Sequence, residues 1–138
     1  AVHIALFLVY YTYAVLKFSD SANYYGISSK AENWFELWGS DTNFINFCAW
    51  PFTHFIGLSY EATMFLFSYV GFQGIVTFYL AAKENIFGLR PLTGSYSIIE
   101  YIFLLPNLHF WTASLGKGAL MTPAIALMVY GLAAYITH

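Results

Sequence analysis

Residues 62–82 form an apolar run of twenty-one residues without a charged side chain, closed by Glu61 at one end and by Lys83 and Glu84 at the other. At about 1.5 Å per residue, a helix of this length matches the roughly 30 Å hydrocarbon core of a bilayer. Across the sequence, 59% of the residues are hydrophobic and 9% are charged, whereas about a quarter are charged in an ordinary soluble domain. The sequence therefore predicts an all-α integral membrane protein.

Three further segments are apolar enough to place helices in the membrane. Residues 2–16 predict a retained helix, because the residues after them supply no signal-peptide cleavage site. Residues 118–137 predict a second full span, and residues 96–110 predict a third whose end is irregular. We therefore expect about four transmembrane helices in a single membrane domain, residues 1–138, which is a fragment of a longer chain.

Two segments between the first helix and residue 61 predict structure at the membrane surface. Residues 42–60 carry no charge, so hydropathy alone permits a span there. Pro51 at their centre and the neighbouring Trp50 favour a short interfacial or re-entrant helix instead. Residues 28–38 combine water-facing charges with lipid-facing aromatic side chains, which predicts an amphipathic helix along the bilayer surface.

The few cations predict an orientation in the membrane. Lys83 and Arg90 share the one short loop between clear spans, and the positive-inside rule assigns such a loop to the cytoplasm. Counting crossings from this loop places residues 18–60 and residues 107–117 on the extracytoplasmic side. We therefore expect these two polar segments to meet at the outer face of the membrane.

Several classes of function lack support in the composition. Five Lys and Arg against seven Asp and Glu form no basic patch, which excludes nucleic acid as an expected partner. Gly116 and Lys117 are not part of a nucleotide-binding phosphate loop, since Gly118 follows where Ser or Thr is required. We expect no metal and no cofactor, because the four histidines lack metal-ligand spacing: His3, His54, His109 and His138.

Asp20 lies in a polar segment, SDSANYY, that follows the first helix directly. A partly desolvated carboxylate at the membrane edge can act as a general base toward a sugar or water hydroxyl, or can hold a metal. The alternative is an Asp that caps a helix or a turn. The residues alone leave both interpretations open.

Lys117 lies at the end of a second polar segment and at the start of the final predicted helix. Its ammonium adds to the positive end of that helix dipole and to unpaired backbone amides, which predicts a site for an anion such as pyrophosphate. The alternative is a lysine that merely extends its charge to the membrane interface.

Residues 20–25 (DSANYY), residues 42–51 with 57–59, and residues 105–117 (LPNLHFWTASLGK) carry a resemblance to a known family. The last segment is the most specific, with a Pro, an aromatic-Trp pair, a Ser and a Gly-Lys pair in that order. Together these segments resemble the EpsG-like and O-antigen-polymerase-like membrane proteins of bacterial exopolysaccharide synthesis. The chain resembles the N-terminal part of such a multi-spanning, lipid-linked glycosyltransferase.

The resemblance implies a polymerase in the bacterial cytoplasmic membrane that joins sugars carried on polyprenyl pyrophosphate. It implies that Asp20 deprotonates the acceptor hydroxyl and that residues 28–38 are the surface helix of the family. The expected partners are the bilayer, the lipid-linked saccharide and other membrane proteins of polysaccharide synthesis. The expected substrate-binding residues are Lys117, His109, Asn107, Trp111, Ser114 and Tyr24.

This interpretation makes one geometric demand on the fold, since Asp20 and Lys117 must share a pocket at the outer face. A groove between residues 2–16 and residues 62–82 would then hold the lipid tail. The alternative function, from a different class, is a non-catalytic membrane subunit of a transporter or assembly complex. In that case the same charged residues are structural or line a conduction path.

Overall fold

The computed structural model describes residues 1–85 and 98–137, and all regular structure in these ranges is helical. This confirms the all-α class. The elements in chain order are α1 (Val2–Leu16), α2 (Asp20–Lys30), a 3-10 turn (Trp34–Leu37), α3 (Thr42–Trp50), a π-helical turn (Pro51–Phe55), α4 (Tyr60–Asn85), α5 (Ile98–Phe103), α6 (Pro106–Thr112) and α7 (Lys117–Thr137).

Helix α1 packs antiparallel to α4. The rings of Phe7 and Phe65 meet edge to face with centroids 5.7 Å apart. One turn further along α1, the Tyr11 hydroxyl donates a hydrogen bond to the Glu61 carboxylate at 3.3 Å. The end of α1 therefore lies beside the beginning of α4, and the turn that leads into α2 is at that same end of the bundle.

Two glycines of α4 allow the backbones of α6 and α7 to approach closely. A Cβ atom at Gly74 would lie 2.5 Å from the backbone nitrogen of Pro123, and one at Gly71 would overlap the carbonyl oxygen of Thr112. No larger side chain fits at either position without moving a backbone. Lys117 at the start of α7 lines one cavity with Asp20, so α7 begins near the end where α1 turns into α2. This is also the end where α4 begins, and Pro123 meets Gly74 further along α4, so α4 and α7 run in the same direction.

A set of small and aromatic side chains joins these helices to α2 and α3. The core is layered around the start of α4, with rings from α1 and α2 packed on methyl and thioether groups from the other helices. Its buried members are Tyr10, Ala14, Tyr24, Ile45, Ala49, Met64, Phe67, Leu115 and Ala119.

Two described helices, α4 and α7, are long and apolar enough to cross a membrane by themselves. Only 11% of the apolar window of α7 is buried, so most of its side chains point away from the rest of the chain, as lipid-facing residues do. Helix α1 qualifies only together with α2, to which it is bent by 76°. Two or three candidate spans are thus present in the described ranges, and the expected four are not confirmed.

The predicted third span differs from the structure in continuity. Residues 96 and 97 lie outside the described residues, and the remainder forms two short helices, α5 and α6, separated at Leu104 and Leu105. The break follows from Pro106, which has no amide hydrogen to continue the preceding helix and instead occupies the first turn of the next one. No single helix of spanning length forms in this described segment.

The predicted amphipathic helix at residues 28–38 is wrong. Residues 28–30 are the last turn of α2, Ala31 is extended, and a separate 3-10 turn begins at Trp34. The cause is local, because the Asn33 side chain accepts a hydrogen bond from the Phe35 amide and so starts a new turn. The Trp34 indole still anchors this segment to α3, since its ring nitrogen donates a hydrogen bond to the Phe47 carbonyl at 2.8 Å.

Residues 42–60 form a short helix that turns back. Helix α3 continues into the π-helical turn at Pro51–Phe55, which ends two residues before Gly57. The φ of 73° at Gly57 favours glycine and turns the backbone out of the helix. At about 1.5 Å per residue, the fourteen residues from Thr42 to Phe55 reach only about 21 Å, short of a bilayer core. This length argues against a span by residues 42–55, and the interfacial or re-entrant placement of the helix stays a prediction. The orientation argument depends on Arg90, which lies outside the described residues.

Candidate functional site

A cavity of about 240 Å³ lies at the end of the bundle where α1 turns into α2 and α7 begins. The residues around it come from two parts of the sequence that are far apart in the chain, residues 10–24 and residues 111–118. They include five of the seven residues singled out from the sequence, namely Asp20, Tyr24, Trp111, Ser114 and Lys117. Tyr10, Leu115, Gly116 and Gly118 complete the wall.

Asp20 is the first residue of α2, preceded by Ser19 in an extended conformation. A chain of hydroxyl contacts anchors this turn to α4: Ser19 Oγ lies 2.7 Å from Ser21 Oγ, which lies 2.8 Å from the Tyr60 hydroxyl. The Asp20 side chain is exposed and lines the cavity. A carboxylate in the first turn also complements the helix dipole, so the position fits both interpretations made from the sequence.

Lys117 is the first residue of α7 and forms an ion pair with Asp41. Both side chains remain more than half exposed, so the pair is open to solvent and to exchange with another anion. Asp41 lies just before α3, with a φ of 61° that is unusual for a residue other than glycine. Hydrogen bonding and charge attraction from Lys117 hold the pKa of the Asp41 carboxyl below its usual value.

Sequence reasoning missed Asp41 as a member of this site. The turn before α3 was visible as Gly39, Ser40 and Asp41, a composition typical of turns. Nothing local indicates that this carboxylate reaches Lys117, because the contact is made by tertiary folding.

The remaining cavity residues differ in exposure, which indicates different roles. Tyr24 is buried and Ser114 is 4% exposed, so their hydroxyls form the inner wall. Trp111 is 60% exposed and presents its indole at the rim. Gly118 is required by packing, since a Cβ atom there would overlap the Trp111 carbonyl oxygen. The cavity therefore has an aromatic rim, a hydroxyl wall and a carboxylate beside an ammonium.

Two residues expected in this pocket lie elsewhere. Asn107 is exposed near the start of α6, and His109 is 4% exposed and directed toward α1. His109 Nδ1 lies 3.1 Å from His3 Nδ1, and its Nε2 lies 2.8 Å from the Phe103 carbonyl oxygen. Neither residue lines the cavity at Lys117. His109 lies two residues before Trp111, about 200° around α6, and so faces the opposite way. Asn107 shares the helix face of Trp111 but lies one turn further from the start of α7.

Two apolar grooves lie between pairs of helices. One of about 250 Å³ lies between α1 and α4, where the sequence predicted a groove, and Phe7 and Phe65 are among its walls. The other, of about 480 Å³, lies between α3 and α7 and is lined by Phe44, Met121 and Lys117 among others. Since Lys117 borders both the polar cavity and this second groove, an amphiphile could place its charge at Lys117 and its apolar chain between α3 and α7.

No group of three or more His, Cys, Asp or Glu side chains suited to a metal ion occurs among residues 1–85 and 98–137. Comparison of the chain with models of protein families, with curated proteins and with solved structures finds no match. The chemistry of the cavity therefore has to be argued from its own geometry. A carboxylate that can accept a proton, an ammonium that can bind an anion and an adjoining apolar groove suit a reaction on an amphiphilic anionic substrate.

Proposed function

We propose that the chain is the N-terminal part of a membrane glycosyltransferase that polymerises sugars carried on polyprenyl pyrophosphate. The observation that carries the proposal is the meeting of Asp20 and Lys117 in one cavity. The resemblance of residues 20–25 and 105–117 to polysaccharide polymerases supports the same function, as does the presence of helices able to span a membrane.

The proposed reaction is a displacement at the anomeric carbon of the lipid-linked sugar. The acceptor hydroxyl attacks this carbon as the Asp20 carboxylate takes the hydroxyl proton, and the bond from the anomeric carbon to the pyrophosphate oxygen breaks. The pyrophosphate leaves with its lipid and keeps the electron pair of that bond. Lys117 and the free amides at the start of α7 stabilise the charge that develops on the leaving group.

The ion pair with Asp41 gives Lys117 a resting partner in this scheme. A solvent-exposed pair of single charges is weak, because water and salt screen it. A pyrophosphate carries more charge and accepts several hydrogen bonds, so it can displace Asp41 from Lys117. The apolar chain would then lie in the groove between α3 and α7 rather than in the one between α1 and α4. Trp111 at the rim would pack against the sugar.

The same ion pair favours the second candidate, a non-catalytic subunit of a transporter or assembly complex. In that case Lys117 and Asp41 fasten α7 to the turn before α3, and their exposure reflects contact with a partner protein. The two candidates make different demands on Asp41, since a structural pair needs both members whereas an anion site needs only Lys117.

The first experiment measures polymer length and yield in cells that depend on the full-length protein for polymer synthesis. We expect Asp20→Asn and Lys117→Ala each to lower the yield by at least about a hundredfold, the usual effect of losing a general acid or base or a charge-stabilising group. The matched controls Glu32→Gln and Lys17→Ala alter exposed charges outside the cavity and should leave the polymer unchanged. Normal polymer from both cavity variants, with normal membrane insertion, would refute the transferase.

A second experiment separates the two candidates through Asp41→Asn. If Lys117 binds the leaving group, this variant frees the ammonium and should keep polymer synthesis, with tighter binding of a short polyprenyl diphosphate in nanodiscs. If the pair is structural, Asp41→Asn and Lys117→Ala should both lower the unfolding midpoint and neither should change diphosphate binding.

A further inference from the structure

His3, His109 and Ser68 form a hydrogen-bonded chain that is separate from the cavity at Lys117. His3 lies on α1, Ser68 on α4 and His109 on α6, and each is at most 7% exposed. His3 Nε2 lies 3.0 Å from Ser68 Oγ, and His3 Nδ1 lies 3.1 Å from His109 Nδ1. Side chains from three helices thus form one chain of hydrogen bonds, which contains a hydroxyl and two imidazoles.

The direction of the chain follows from counting protons. His109 Nε2 faces the Phe103 carbonyl oxygen at 2.8 Å, and a carbonyl only accepts, so this nitrogen carries a proton. In the neutral ring, His109 Nδ1 is then an acceptor, and the proton between the rings belongs to His3 Nδ1. His3 Nε2 is consequently left with a lone pair, which accepts the Ser68 hydroxyl proton. A charged pair is disfavoured because both rings are buried among apolar groups.

The Ser68 carbonyl oxygen is a competing partner, since it also lies 3.0 Å from His3 Nε2. A bond to it would require a proton on Nε2, and the two neutral rings would then face each other with lone pairs at 3.1 Å. As a carbonyl inside α4, this oxygen already accepts the hydrogen bond of the helix. The hydroxyl is therefore the better partner for His3.

The arrangement has the order of a nucleophile, a base and a group that orients the base. It also opens onto a space for substrate, because both His3 and Ser68 line the groove of about 250 Å³ between α1 and α4. The other walls of this groove are mostly apolar and include Phe7, Phe65 and Phe72, with Ala1 and Tyr69 also lining it. Such a lining accepts a hydrocarbon chain and rejects a charged or sugar group.

The geometry points to Ser68 as a nucleophile toward esters of long apolar acyl chains, with His3 as its general base and His109 as a positioning residue. Ser68 Oγ attacks the ester carbonyl carbon while its proton passes to His3 Nε2. The bond to the alcohol oxygen breaks, and that oxygen takes the proton from His3. Water then attacks the acyl-serine, its proton passes to His3 and on to Ser68, and the fatty acid is released.

The test is covalent labelling of the chain in lipid nanodiscs by octyl fluorophosphonate, followed by peptide mass spectrometry. We expect the label on Ser68. We also expect the ethyl analogue to react at least about tenfold more slowly, because it forgoes burial of several methylene groups in the apolar groove. Labelling at other serines only, or equal rates for the two probes, would overturn the proposal independently of any variant.

Variants test the roles of the three residues. Ser68→Ala should abolish labelling, whereas Ser28→Ala, which removes a buried hydroxyl bonded to its own helix, should leave it unchanged. His109→Leu should slow labelling and His109→Gln should restore part of the rate, since an amide can accept from His3 and donate to Phe103. A merely structural His109 would give equal rates in both variants, and the assigned role would then fail.

Discussion

The contact between Gly74 and Pro123 allows a stability prediction to be worked from the structure. A Cβ atom at Gly74 would lie 2.5 Å from the Pro123 nitrogen and 2.8 Å from its Cα and Cδ atoms. These atoms belong to a backbone and a ring, so no side chain can rotate away and α7 as a whole must shift. Forcing one methyl group into a packed interface costs about 1–3 kcal/mol.

The variant Gly74→Ala also changes helix propensity, which by itself favours alanine by about 1 kcal/mol. Gly131→Ala supplies the control, because Gly131 lies in α7 with no atom within 4 Å of its added Cβ. Comparing the two alanine variants cancels the propensity contribution to first order. We therefore expect Gly74→Ala to be less stable than Gly131→Ala by about 1–3 kcal/mol.

Titration with sodium dodecyl sulfate in mixed micelles, followed by tryptophan fluorescence, measures this difference in the free energy of unfolding. The expected order is Gly131→Ala at or above the wild type and Gly74→Ala below it. Equal unfolding midpoints for the two variants would show that α4 and α7 do not approach each other as closely as described, and the argument from the glycine contacts would then be refuted.

Three further predictions concern Asn46, the ion pair of Asp41 with Lys117, and the span by α4. Asn46 Oδ1 is buried without a hydrogen-bond partner in the described part of the chain, so Asn46→Leu should stabilise the fold by about 1 kcal/mol in the same titration, and a loss of stability would contradict this. Since Lys117 lowers the pKa of Asp41, the stabilisation by their pair should be present above the usual carboxyl pKa and lost as the pH falls through the lowered value. Carboxyl carbon NMR should show the Asp41 midpoint rise in Lys117→Ala, and an unchanged midpoint would exclude the pair. In a cysteine-free background, Ser40→Cys and Glu84→Cys should react with an impermeant maleimide from opposite sides of the membrane, and labelling from one side only would contradict the span by α4.

The long helices could be predicted from the sequence because their signal is one of composition. Residues 62–82 and 118–137 lie within α4 and α7, and residues 2–16 match α1. Each run is apolar for long enough that no competing structure satisfies its backbone in lipid. Hydropathy over a window of residues measures this property directly, so the bounds agree to within a few positions.

The shorter elements were harder to predict because local hydrogen bonds decide them. Ser19 followed by Asp20 is a typical helix start, and a capping Asp was one of the two interpretations left open. The small polar residues after it show no apolar periodicity, so α2 was not predicted. The 3-10 turn at Trp34 depends on one hydrogen bond, which the Asn33 side chain accepts from the Phe35 amide. The spacing of apolar residues along the sequence does not indicate such a bond.

Five of the residues proposed for the pocket from the sequence line one cavity, while the partner of Lys117 and the pairing of His3 with His109 were not predicted. The five residues lie in two polar segments that interrupt apolar runs. Polar segments of this kind are expected to meet at the ends of the helices, because their side chains are solvated there. Asp41 and the histidine pair are tertiary contacts between segments far apart in sequence. The sequence around one histidine on an apolar helix does not indicate which other ring that histidine contacts in the fold.

The 76° bend between α1 and α2 would make the geometry of the cavity depend on bilayer thickness. Helix α1 is only about 22 Å long, against a hydrocarbon core of roughly 30 Å. As part of a membrane span, it would thin the lipid around it in a thicker bilayer and tilt in a thinner one. Because Asp20 begins α2 just after the end of α1, a tilt of α1 relative to α7 would move the Asp20 carboxylate relative to Lys117, against the contact between Ser21 and Tyr60. The acyl-chain length of the host lipids would then set how near the carboxylate stands to the ammonium.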